Sequence, residues 1–114
     1  MHRPIHQLID ELPSRWIERF VASFEAGRVQ KHPHARFVNA QGECCLVGAL
    51  AGARTSAEFA RSELAGRFLG TALEALSRGF EARRFTAQEV YEEALLVLAS
   101  RTPVGVEAEV AATV

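Results

Sequence analysis

Apolar residues fall at helical spacing through most of the chain. Ile5, Leu8, Ile9 and Leu12 recur at i, i+3, i+4 and i+7, which predicts one apolar face of a short helix. Pro4 suits its first turn, where a missing N–H costs nothing, and the helix is expected to end before Pro13. Trp16, Ile17, Phe20, Val21 and Phe24 form the next stripe, with Ser14 as expected N-cap and Gly27 as stop. Three aromatic positions make this the helix expected to anchor the core.

The pattern breaks over residues 28–42. Pro33 disfavours helix at His32, Arg36-Phe37-Val38-Asn39 reads as a short strand, and Asn39-Ala40-Gln41-Gly42 reads as a turn. From Glu43 to Ala53 small residues recur at spacing four, and only Val47 is β-branched. A buried helix is expected, with a strand start as the competing assignment. Thr55 and Glu58 make a T-x-x-E capping box. The apolar face that follows predicts either one helix from Ser56 to Ser77, stopped by Gly79, or a break near Gly66. Thr86 and Glu89 make a second box, before the stripe Val90, Tyr91, Ala94, Leu95 and Leu98. The fold expected is all-α, or mainly α with a small β-hairpin before Cys44, as a compact bundle of four or five helices. Residues 1–102 form one helical domain, and 103–114 are expected to be a mobile tail.

Composition narrows the function classes. A chain of 114 residues with 48% apolar content suits one self-sufficient domain. Net charge is −1, without the basic excess of a nucleic-acid-binding domain, so a nucleic-acid partner is not expected. The N-terminal residues carry no signal-peptide apolar core. The longest weakly polar run, Cys44 to Ala53, is too short to span a bilayer. The two cysteines are adjacent and frame no disulfide, so reduced thiols in a cytoplasm are expected. No glycine-rich phosphate loop, H-E-x-x-H or paired-carboxylate signature is present, and no cofactor is expected.

Candidate chemistry centres on Cys44 and Cys45. With Gly42 near the N-cap, both would occupy a helix's first turn, whose partial positive charge favours thiolate. A thiol so placed, with His32 or His34 as base, would make a nucleophile–base pair. Against this stands the commoner role of cysteine as a small buried hydrophobe. Successive helical positions also point about 100° apart, so at most one thiol would face a cleft. His32-x-His34 with Cys44-Cys45 supplies zinc-type ligands, but at a spacing that wraps poorly around one ion, and no metal site is assigned. Arg28, Lys31, His32, His34 and Arg36 form one basic cluster and Arg83-Arg84 another; solvated surface is their default reading.

The order Trp16, then Phe24-Glu25-Ala26-Gly27-Arg28, then Gln30, then Gly42-Glu43-Cys44-Cys45-Leu46-Val47-Gly48-Ala49-Leu50 resembles a family of small uncharacterised phage and bacterial proteins. Those proteins carry a Trp, an sGkY-x-Q type segment and a C-C-L-G-[VA]-L box. Here Val47 is inserted before the glycine and the Tyr position is not matched. The resemblance covers Trp16 to Leu50. It implies no activity, but it does imply that the Trp helix and the Cys-Cys helix pack as a unit. The reading that follows is a cytoplasmic, non-enzymatic protein-interaction module, partnered by another protein or by its own copy. A cysteine-dependent enzyme and a small-molecule or metal carrier are the alternatives.

Overall fold

The computed structural model describes residues 3–33, 37–68 and 70–101. The expected tail, His34, and the expected strand start at Arg36 lie outside them. Among the described residues there are six α-helices: α1 (Ile5–Asp10), α2 (Ser14–Glu25), α3 (Leu46–Ala51), α4 (Ser56–Ala60), α5 (Ala72–Glu81) and α6 (Ala87–Arg101), with a 3₁₀ turn at Ala65–Arg67. The all-α architecture is as the apolar spacing requires. The hairpin is reduced to two isolated bridges, which pair Cys44 with Val29 in parallel and with Val38 in antiparallel.

Five helices close a ring. α1 packs on α5 and α6, α6 packs on α2, α2 on α3, and α3 on α5. Each turns its stripe inward: Leu8 and Ile9, then Trp16, Ile17 and Phe20, then Leu46 and Leu50, then Leu73, Leu76 and Phe80, then Val90 and Val97. Helices of six residues such as α1 and α3 are not stable alone; burial of these stripes against one another holds them. α4 stands outside the ring and buries no residue fully.

The helix ends show where local chemistry decided the structure. Thr86 and Glu89 cap reciprocally: the Glu89 N–H donates to Thr86 Oγ1 at 3.2 Å, and the Thr86 N–H to Glu89 Oε1 at 2.8 Å. Thr55 caps α4 through the Glu58 N–H at 3.1 Å. Ser14 is not the cap of α2. Pro13 holds that position, and the Ser14 hydroxyl instead accepts from Arg101 Nη1. The Arg101 guanidinium also donates to the Leu12 and Asp10 carbonyls at 2.8 and 2.6 Å, which bolts the end of α6 to the α1–α2 corner.

No single helix runs from Ser56 to Ser77. The chain leaves helix after Ala60, buries Leu64, and passes Gly70 at φ +72° before α5 begins. Thr71 Oγ1 donates to the Phe68 carbonyl, and Glu74 accepts from the Gly70 N–H at 2.8 Å. Gly79 is not a stop either. It lies inside α5, where a Cβ would sit 2.3 Å from Phe85 Cε2, so it is the slot that admits the Phe85 ring. Arg83 takes the left-handed position that ends the helix, at φ +60°.

Candidate functional site: an aromatic groove beside the cysteine pair

Neither cysteine lies within the first turn of a helix. Cys44 is the middle strand of a three-chain crossing. Its N–H donates to the Arg28 carbonyl at 2.6 Å and its carbonyl accepts from Gln30 at 2.8 Å, while Cys45 donates to the Phe37 carbonyl at 2.8 Å. Helix α3 starts one residue after Cys45, which is its N-cap: Sγ accepts from the Gly48 N–H at 3.4 Å. The shift from expectation has a physical cause. Residues 28–30 and 37–39 supply backbone partners that satisfy 43–45 as extended chain before the helix nucleates.

Two polar side chains hold this crossing. Gln30, buried at 1% exposure, donates from Nε2 to the Glu43 carbonyl at 2.9 Å. Asn39 organises the expected turn: its Oδ1 accepts from the Gln41 and Glu43 N–H groups at 3.0 and 2.8 Å. Gly42 follows at φ +82°, a conformation that suits glycine. On the other side Gly48 lets the chain return closely, since a Cβ there would meet the Ala53 carbonyl oxygen at 2.8 Å.

The crossing also fixes Phe37 at φ +67°, unusual for an aromatic residue. Its ring is nearly buried and points toward Phe59, with centroids 5.8 Å apart; Phe59 meets Phe68 edge-on at the same distance. These three rings come from three separate segments. They line a groove of about 380 Å3 with Val47 and Cys45, and Ser56, Ser77, Glu74, Arg78 and Glu81 complete it. Its volume is in the range that takes a small ligand or an anchoring side chain. Residue spacing carries no signal for it: Phe59 and Phe68 lie on the apolar face expected between Ser56 and Ser77, on either side of the alternative break near Gly66, and Phe37 lies in the expected strand.

The charges of the groove are unevenly matched. Glu74 accepts from the Gly70 N–H and pairs with Arg78 at 2.9 Å. These two bonds, the backbone one foremost, hold its carboxyl below the usual glutamate range. Glu81 makes no side-chain hydrogen bond or ion pair among the described residues.

The two thiols differ. Cys45 faces the groove. Cys44 is half-buried, and burial pushes its thiol up from the ordinary value; Arg54 and Arg28 oppose this, while Cys45 and Glu58 add to it. Among the described residues no histidine acts on Cys44, and no contact joins His32 to either thiol. His32 is exposed. Its segment leans instead toward the start of α6, where the Ala87 N–H donates to the Lys31 carbonyl and Arg83 Nη2 to the Pro33 carbonyl, both at 3.3 Å. Lys31 of the first basic cluster and Arg83 of the second thus lie at one corner. Among the described residues no group of three or more His, Cys, Asp or Glu side chains is placed to hold a metal ion, and no helix is long and apolar enough to cross a membrane.

No family model, curated protein or solved structure matches this chain.

Proposed function

We propose that the protein is a non-enzymatic interaction module that receives an apolar side chain of a partner protein in the Phe37–Phe59–Phe68 groove. The observation that carries this reading is the position of the three rings. They lie outside the closed helical ring, and Phe59 and Phe68 stay half-buried beside an open groove where the core residues are fully covered. Aromatic side chains at a concave surface are the usual anchors of protein recognition. The free adjacent cysteines suit a reducing compartment, and we place the protein in the cytoplasm on that ground. The resemblance over Trp16–Leu50 favours a phage or mobile-element origin.

Cys45 provides a built-in reporter. A random peptide library would be panned on the native protein, and the selected peptides tested for protection of Cys45 from iodoacetamide, with Cys44 as internal reference. Peptides that protect Cys45 and lose at least tenfold in affinity for Phe59→Ala are the expected result. Selected peptides that leave Cys45 reactive and bind Phe59→Ala unchanged would overturn the reading.

A further inference from the structure

The groove's unmatched charge says what should flank the apolar anchor. Two carboxylates and one guanidinium border it, and Arg78 is taken up by Glu74. That leaves Glu81 as the one groove carboxylate without a partner among the described residues. The arginines two and three positions further on form no ion pair with it among the described residues. Arg83 Nη2 is engaged at the Pro33 carbonyl, and Arg84 lines a different concavity, beside Arg3 and Leu8. Its described lining therefore combines an aromatic floor with one net negative charge at the edge.

We infer that the partner segment carries a lysine or arginine next to its apolar anchor, and that Glu81 selects it. An apolar side chain seats on Phe59 and Phe68 while the neighbouring cation pairs with the Glu81 carboxylate. An acidic residue at that place is rejected by Glu81, so the same group supplies attraction and discrimination. Because Glu81 is exposed, the pair contributes a few-fold in affinity, and the rings supply the larger share. This inference rests on the groove being the binding surface, and its test separates the two.

The test is a double-mutant cycle with synthetic peptides taken from the library selection. Each selected peptide is compared with its Lys-to-Gln or Arg-to-Gln version on wild type, Glu81→Gln and Glu81→Lys, by fluorescence anisotropy at low and high salt. The selected sequences should be enriched in lysine or arginine beside an aromatic or aliphatic residue. Glu81→Gln should weaken the basic peptide about three- to fivefold and the neutral version hardly at all. Glu81→Lys should weaken it about tenfold, and the difference should shrink in high salt. If the selected peptides show no basic preference, or if both Glu81 variants bind them as wild type does, Glu81 is not the selector; loss of binding in Phe59→Ala would then still support the groove. If no peptide depends on Phe59, the groove reading fails and takes this inference with it.

Discussion

Four of the seven phenylalanines show two kinds of surroundings. Phe20 and Phe80 belong to the closed ring of helices, at 1% and 2% exposure, on stripes whose neighbours repeat every three or four residues. Phe59 and Phe68 line the groove, half-buried, from a short helix and an irregular turn. The same side chain therefore stabilises in one place and stays available in the other, and what differs is whether a second helix covers it. A ring of five helices leaves no inner face open, whereas the excursion between α3 and α5 reaches the ring only through a few anchors.

Truncating one ring from each region should break the comparison most sharply. Phe20→Ala or Phe80→Ala is expected to cost about 3–5 kcal/mol, a large part of the stability of a domain this size. Phe59→Ala should cost about 1–2 kcal/mol while removing peptide binding. Urea denaturation followed by circular dichroism measures the first quantity and anisotropy the second. Equal destabilisation by Phe20→Ala and Phe59→Ala would mean that the groove rings are core.

Glycines offer a finer contrast. A methyl on Gly79 collides with the Phe85 ring at 2.3 Å, so Gly79→Ala should destabilise by about 3 kcal/mol, despite the roughly 1 kcal/mol that alanine gains in a helix. A methyl on Gly66, in the excursion, meets nothing within 4 Å. Gly66→Ala should be neutral or stabilise by up to about 1 kcal/mol. Thermal melting of the two variants separates the regions without touching any aromatic ring.

What was legible in the chain follows the same division. The stripes of α1 and α2 are legible because one helix face repeats locally; on α6 Val90 and Ala94 are buried as expected, but Leu95 is exposed and Val97 takes the inner position instead. The Thr55 and Thr86 boxes could be read because a cap and its partner lie three residues apart. Thr71 and Glu74 have that spacing too, and of the two expectations for Ser56 to Ser77 the break near Gly66 is the one the chain follows. By position Gly79 looks like a stop, but its purpose depends on where Phe85 folds back. Cys44 left the helix for bridges to Val29 and Val38, and Phe37 joined Phe59 and Phe68 from a different segment; no spacing encodes either event. The role of Arg101 is not encoded in spacing either, since its acceptors lie 87 to 91 residues away.

Arg101 tests how the ring is closed. Its guanidinium serves two carbonyls and the Ser14 hydroxyl together. Arg101→Ala should cost about 2 kcal/mol, the scale of charge-assisted hydrogen bonds. Arg101→Lys should recover only part of this, because an ammonium cannot reproduce the planar fork. Full recovery in a urea titration would show that charge alone, not the fork, holds the corner.

Glu63 marks the seam between the two regions, and acid should open it. Its carboxylate, on the excursion, accepts from the buried Trp16 indole at 2.5 Å and from Arg15 Nε at 2.9 Å. The Trp16 bond first, then the Arg15 bond, hold the Glu63 carboxyl below its usual value. A carboxyl lowered in the folded state adds stability that is present above the unfolded pKa and is lost as pH falls through the folded one. Trp16 is the sole tryptophan and reports this directly. Its emission should hold steady as pH falls to the ordinary glutamate range near about 4.3 and change only below it. In Glu63→Gln, which keeps the acceptor oxygen and removes the charge, that acid step should vanish. If Trp16 emission moves before helical circular dichroism does, the excursion detaches while the ring stands, and the groove wall is the weaker of the two regions. If both move together, the seam is part of one cooperative core, and the groove is held as firmly as the helices behind it.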